Sequence, residues 1–328
     1  MNPAEIKKAI ARFPKRRILV VGDAMIDMYV EGDADHISAE APVPVLRQHS
    51  VNYILGGSGN VANNVAALGG VATLVAVAGR DDNAEILRAL CRQARIRLKC
   101  FVDATRPTTT KLRIVSRLHQ HQLARVDSEL ATPIAKALEK RLIAAIRALP
   151  PQDMVIVSDY AKGCITKNVV SALKKKFGGE KIVADMKPPH AAFYKGIYAI
   201  TPNMKEALEL TGLHTTTDAL ATRAAKVMGK RLSTAVILTR AEHGVTLRER
   251  RGAISHFRSN ILSVKDVTGA GDTLIAALAL ACAVGTPLPH AVELANFSAG
   301  IVVSQRGTFA LSRKDLEQHI DSLAARTL

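Results

Sequence analysis

The stretch GNVANNVAALGGVATLVAVAG, residues 59–79, joins a helix to a strand with only two glycines between them. In its first part alanines, valines and Leu68 recur at helical spacing until Gly69 and Gly70 close the run. From Val71 to Gly79 follows a short apolar run, read as a buried strand. Upstream, RILVVGD (17–23) is another buried strand, ending at an acid. Downstream, DDNAEILRALCRQARI (81–96) is an amphipathic helix opened by an aspartate cap. DMVIVSDY (153–160), KIVADMK (181–187), GIYAITPN (196–203) and TAVILTR (234–240) continue the alternation, with helical segments between them. Strands alternating with helices predict parallel βαβ units and an α/β fold. In such sheets ligands gather beyond the carboxyl ends of strands, where Asp23, Asp159, Asp185, Asn203 and Thr239 stand.

Two stretches break this order. Residues 28–57 and 97–129 are rich in β-branched residues and turn formers, and they read as antiparallel hairpins inserted into the α/β sequence. Together they predict a small sheet, about 28–55 and 97–127, that covers a site as a lid. With no linker and no internal repeat, the expectation is one domain over 1–328 plus that lid.

The composition, 48% hydrophobic and 23% charged over 328 residues, is globular. Four cysteines, Cys91, Cys100, Cys164 and Cys282, lie without CxxC or Cys/His spacing, so idle thiols are expected rather than disulfides or a zinc site. The N-terminal segment carries charges where a signal peptide needs an apolar core, and nothing after it reads as membrane-spanning, which leads to a cytoplasmic expectation. The formal charge of +16 suggests nucleic acid. Against that, the basic residues spread along the whole chain, aromatics are 4% and tryptophan is absent, so no stacking platform is evident. An anionic small substrate with solvated basic faces is the preferred reading, and a basic nucleotide- or nucleic-acid-binding protein is the alternative.

KDVTGAGDTLIAALAL (265–280) changes from a charged, small-residue turn to an almost wholly apolar helix. A Gly-Ala-Gly turn at a helix start exposes backbone N–H groups, and the helix dipole adds positive potential. Asp272 then stands in the first helical turn. It is either a favourable helix-start acid or a base that deprotonates an alcohol while the N–H groups stabilise a transferred phosphoryl group.

DVTGAGDTLIAALAL resembles the C-terminal signature of the PfkB, or ribokinase-like, sugar kinases, and GGSGNVANNVAALGG (56–70) resembles their N-terminal signature. The resemblance covers nearly the whole chain. It implies a three-layer α/β/α core with a mostly parallel sheet plus a small β-sheet lid. It implies Asp272 as base, with the backbone of Gly269, Ala270, Gly271 and Asp272 as anion hole. TPNMKE (201–206) is similar to the family's Asn-x-x-Glu motif, which places Asn203, Met204, Lys205 and Glu206 near nucleotide phosphates and magnesium, the metal held by Glu206 through water. LTRAEHGV (238–245) resembles the turn beside the nucleotide, matching Thr239 and Gly244, with Arg240 where the family has glycine. Asn296 resembles an asparagine near the adenine. On the sugar side the resemblance implies Asp27, with Asp23, Gly57, Asn60 and Asn64 nearby. Each of these also reads as a cap, turn or solvated helix residue. ATP and magnesium are the implied cofactors, with a monovalent cation near Asp266.

Within the family, residues 22–46, 108–129 and 157–163 look most like kinases of D-glycero-β-D-manno-heptose 7-phosphate, acting at the anomeric hydroxyl in lipopolysaccharide core synthesis in Gram-negative bacteria. No His-x-Gly-His nucleotidyltransferase motif is found, so a kinase-only form is expected. A ribokinase or hexose phosphate kinase is the alternative. A phosphorylated sugar needs cations, and Lys111, Lys162 and Lys187, with Arg113, Arg117 and Arg125, stand on the lid or after strand ends. They are expected to repel one another in an empty pocket. A homodimer through the lid, using apolar Val43, Val45 and Leu46, is the expected assembly.

Overall fold

Short valine- and isoleucine-rich runs pair into one large sheet. Its strands are β1 (Arg17–Gly22), β4 (Val71–Ala78), β5 (Arg97–Val102), β8 (Met154–Ser158), β9 (Ile182–Asp185), β10 (Ala199–Ile200), β11 (Ala235–Thr239), β12 (Val245–Arg248) and β13 (Ile254–Phe257). The computed structural model describes residues 3–117, 121–259, 266–305 and 309–326. Among the described residues the sheet has nine strands in the order β13-β12-β11-β10-β9-β8-β1-β4-β5. Pairing is parallel from β11 to β5, and antiparallel at the β11-β12-β13 end.

Alternation along each strand feeds two cores. In β1, Ile18 and Val20 face one core while Leu19 and Val21 face the other. The first core is closed by α2 (Ser58–Ala67), α3 (Asp82–Gln93), α8 (Ala270–Ala283) and α9 (Leu288–Val303). The second is closed by α4 (Lys136–Arg147), α5 (Lys167–Phe177), α6 (Met204–Thr211) and α7 (Asp218–Leu232). This is the expected α/β/α arrangement. The N-cap of α3 is Asp81, whose side chain accepts from the Ala84 N–H. No described helix is long and apolar enough to cross a membrane.

Strand order reverses between β1 and β8: the chain runs outward through β4 and β5 on one side, and through β9, β10 and β11 on the other. Side chains at the carboxyl ends of β1 and β8 therefore line the crevice where ligands bind in open α/β sheets.

A second sheet of four strands has the order β3-β2-β6-β7, from β2 (Ala24–Ile37), β3 (Pro44–Gly57), β6 (Thr110–Ser116) and β7 (His121–Ser128). The hairpins β2-β3 and β6-β7 are antiparallel, and β2 pairs β6 in parallel. Its first strand starts at the end of β1, four residues before the expected boundary of 28. The second stretch, expected as 97–127, divides. Arg97–Val102 is β5 of the large sheet, because Leu98 and Cys100 pack on one core and Phe101 on the other. Only from Thr110 does the chain join the small sheet, and residues 118–120 lie outside the described part. Ile37 and Val126 are 62% and 51% exposed. Val43 is also exposed, whereas Val45 and Leu46 are half-buried rather than free apolar surface.

Candidate active site

α8 starts from Gly269, whose φ of 83° is the left-handed conformation that glycine adopts at no steric cost. The turn carries the chain into the helix so that the N–H groups of Gly271 and Asp272 lie in the first turn, where a helix has no acceptor of its own. A Cβ built on Gly271 meets nothing within 4 Å, so the helix start opens on free space. The local chain thus forms a cradle with room for an anion. Lys265, the first residue of the stretch that suggested it, lies outside the described part.

Asp272 is 7% exposed. Its Oδ2 accepts from Asn60 Nδ2 at 2.7 Å and its Oδ1 from the Tyr160 hydroxyl at 2.9 Å. Burial pushes its pKa up to about 6, the two hydrogen bonds hold it down, and the nearby Asp27 charge adds to the rise. A carboxyl that is ionised near neutrality and keeps spare lone pairs is suited to take a proton.

Tyr160 stands in the 157–163 stretch that resembles the heptose 7-phosphate kinases, but nothing in the sequence gave it a role of its own. It lies on the loop leaving β8, and that loop is shaped by Asp23. The Asp23 carboxylate accepts the backbone N–H groups of Tyr160, Lys162 and Cys164 at 2.9, 3.1 and 3.0 Å. At 4% exposure Asp23 spends its charge on the chain itself and not on open pocket. Burial raises its pKa and the three amides oppose the rise.

The other sugar-side residues separate into two groups. Asp27 lies in β2, is 5% exposed and bonds Arg113 of β6, whose guanidinium stands 5.2 Å from the Tyr29 ring centroid. Asn60 and Asn64 do share a helix face, but that face turns into the protein. Asn64 donates to Asn60 and accepts from the Thr273 hydroxyl at 2.9 Å, pinning α2 to α8. Asn64 is fully buried and spends its side-chain hydrogen bonds on Asn60 and Thr273, beside Asp272. Gly57 caps α2 and packs on the Asp23 carbonyl.

The cations are not a mutually repelling surplus. Lys111 pairs with Asp127 at 3.1 Å and Glu129 at 3.5 Å, Lys162 with Glu129 at 2.6 Å, and Arg125 with Asp127 at 3.0 Å. Asp127 and Glu129 escaped notice because Asp127 lies within β7, where only the strand register sets it opposite Lys111, and Glu129 directly follows that strand. Each is held below the usual carboxylate range, where hydrogen bonds and cations outweigh burial.

On the other side of α8 lies a cavity of about 620 Å³. Asn203, Met204, Lys205, Thr239, Gly244 and Asn296 line it, with Ala270 and Gly271 from the anion turn. Asn203 caps α6 and Glu206 completes a reciprocal capping box, each side chain bonding the other's N–H at 2.9 Å. Thr239 and Asn203 form a parallel bridge that joins the two turns. Gly244 has φ 79°, and a Cβ there would stand 2.0 Å from the Phe257 carbonyl. Arg240 fits without left-handed backbone, at φ −128°; its buried guanidinium bonds Asp218 at 2.6 Å. Asn296 donates to the Arg258 carbonyl at 2.8 Å.

Glu206 does not line the cavity; its other oxygen bonds Lys187 Nζ at 2.6 Å. Burial opposes the Lys187 charge, but Asp185 and Glu206 outweigh it. Burial drives the Asp185 pKa well up, and the Glu206 charge adds to it. No group of three His, Cys, Asp or Glu able to cage a metal exists among the described residues. Glu206 and the neighbouring Asp185 are the carboxylates that could meet a hydrated magnesium ion, which keeps its waters and takes few protein ligands.

A nine-stranded α/β/α core with a small sheet rising from the end of β1 is a ribokinase-like fold. It superposes on phosphofructokinase-2 from Escherichia coli, solved in complex with substrates and products, at TM-score 0.77 and 18% identity, covering 94% of this chain and 99% of that one. It also matches Arabidopsis thaliana ribokinase complexed with ribose and ATP, at TM-score 0.72 and 20% identity, covering 93% and 99%. Residues 15–315 match the pfkB family carbohydrate kinases, and the chain belongs to that family. The bifunctional protein HldE of Rhodopseudomonas palustris is 38% identical over 314 residues, and that of Caulobacter vibrioides 40% over 323. Each match covers 94% of this chain, which spans only 64% and 65% of those two relatives.

Proposed function

We propose that the chain transfers the γ-phosphoryl group of ATP to the anomeric hydroxyl of D-glycero-β-D-manno-heptose 7-phosphate, giving the 1,7-bisphosphate. The observation that carries the kinase reading is the Asp272 carboxylate, buried and held by Asn60 and Tyr160 at the mouth of an anion cradle. The choice of heptose rests on the likeness of residues 22–46, 108–129 and 157–163 to heptose 7-phosphate kinases and on the identity to HldE proteins. The product would serve lipopolysaccharide core synthesis in the cytoplasm.

In this reading the nucleotide fills the 620 Å³ cavity, with its base near Asn296 and its phosphates toward Asn203 and Gly271. Asp272 takes the proton of the anomeric hydroxyl as that oxygen attacks the γ-phosphorus, and ADP leaves. The N–H groups of Gly271 and Asp272 hold the charge on the moving phosphoryl group. Glu206 would hold magnesium through water, and the ion would supply positive charge to the nucleotide phosphates. A monovalent cation is proposed beside Asp266; the E. coli phosphofructokinase-2 was also solved with potassium. Asp27 binds sugar hydroxyls, and the small sheet closes over them as a lid. The 7-phosphate would take Lys111 and Lys162 as partners, displacing Glu129.

The test compares heptose 7-phosphate with the unphosphorylated heptose under Mg·ATP. A charge-assisted contact contributes about 1.5–3 kcal/mol, and each lysine must release an acid. The expected preference is therefore roughly tenfold to a hundredfold in kcat/KM. Equal values, or a better rate with ribose or a hexose phosphate, would replace heptose by that sugar.

A further inference from the structure

The clamp on Asp272 has two arms of different kinds. Asn60 comes from the rigid helix α2, where it is 1% exposed and braced by Asn64. Tyr160 comes from a loop whose backbone Asp23 holds through the N–H groups of Tyr160, Lys162 and Cys164. Its hydroxyl donates to Asp272 Oδ1 at 2.9 Å, while Lys187 Nζ lies 5.4 Å from its ring centroid. The same ammonium bonds Glu206, the acid of the α6 capping box. The phenol therefore stands between the base and the lysine–glutamate pair beside the nucleotide cavity.

We propose that Tyr160 is the positioning residue of this kinase: its O–H aims the Asp272 carboxylate at the sugar hydroxyl and stabilises its ionised form. The inference rests on Asp272 as base. Burial and the adjacent Asp272 charge hold the Tyr160 pKa well above the usual phenol value, so it stays a protonated donor to the carboxylate. The other charges facing Asp272 are Asp27 of β2, Asp185 at the end of β9 and Lys187, which follows β9. None of them hydrogen-bonds the carboxylate, so the two donors Asn60 and Tyr160 set its orientation. Asp23 acts one step further out, since it holds the loop that carries the phenol.

The experiment follows the Asp272 carboxyl by ¹³C NMR titration of the protein without substrate, its resonance assigned by its loss in Asp272→Asn. Tyr160→Phe keeps the ring and the seat of Lys187 but removes the donor. A hydrogen bond to a charged group corresponds to about one to two pH units, so the Asp272 pKa should rise by that amount. The acid limb of kcat with heptose 7-phosphate should move up by the same interval, with KM for ATP close to wild type. Replacing all five tyrosines by 3-fluorotyrosine, a stronger donor, covers the case of a poorly folding Phe variant and should move the titration down. An Asp272 titration unmoved in the Phe variant, or in the fluorinated protein if Phe does not fold, overturns the proposal. Undiminished turnover in Asp272→Asn overturns instead the assignment of the base, and the two failures are thereby told apart.

Discussion

At Asp272 two forces oppose each other, and the balance decides when the residue works. Burial favours the neutral acid and the Asn60 and Tyr160 donors favour the ion, with the result near 6. Turnover should accordingly rise with pH through about 6 and level off above it. Asp272→Asn should lower kcat by roughly two to four powers of ten in a folded protein, the usual scale for a general base. The same shift has a stability consequence. The folded-state pKa lies above the ordinary aspartate value of 3.8, so the stability contributed by the neutral carboxyl is full below 3.8 and lost as pH rises through about 6. Asparagine does not titrate. Relative to wild type, Asp272→Asn should therefore gain stability between pH 4 and pH 8, by up to about 3 kcal/mol. Thermal unfolding at both pH values measures this; a constant difference would contradict it. Asp272 could be singled out in the sequence, but the Gly-Ala-Gly turn left it as either a helix-start acid or a base, and only the resemblance to the family signature implied the base. Tyr160, by contrast, becomes meaningful only when β8 sets the loop against α8, 112 residues away in sequence.

At the scale of elements, helix starts and tight turns line the cavity proposed for the nucleotide. Asn203→Ala removes the cap of α6 and leaves the Glu206 N–H without its acceptor. A loss of about 1 kcal/mol in urea unfolding is expected, together with a higher KM for Mg·ATP; unchanged stability would show that the capping box contributes nothing. Gly244→Ala forces a Cβ onto the Phe257 carbonyl and should cost more, on the order of 1–3 kcal/mol. The alternation of apolar runs was enough to predict the parallel sheet. It was not enough to place RLKCFV (97–102) in it, because that strand alternates much like TKLRIVS of β6. What separates them is the layer packed on the second face, which is a long-range property. The sugar-side cations show the same limit: Lys111 and Lys162 were visible, but their pairing with Glu129 depends on three segments meeting.

For the whole molecule, the small sheet offers an outer strand, β7, exposed along its length, with Val126 at 51%. Unpaired, apolar strand edges need cover, and a homodimer through this sheet is proposed. Sedimentation should give twice the 35.1 kDa chain mass, and Val126→Glu should shift it to one. A monomer at micromolar concentration with full activity would contradict this. The charge of +16, read first as an invitation to nucleic acid, suits a protein that draws two polyanions into one crevice. The central claim, phosphoryl transfer to the anomeric oxygen with Asp272 as base, is tested most directly by ³¹P and ¹³C NMR of the product formed from heptose 7-phosphate and Mg·ATP. The account predicts a new phosphate signal coupled to C1, formed by the wild type and absent on the same timescale from Asp272→Asn. A phosphate on any other carbon, or the same product formed as fast by Asp272→Asn, would contradict it.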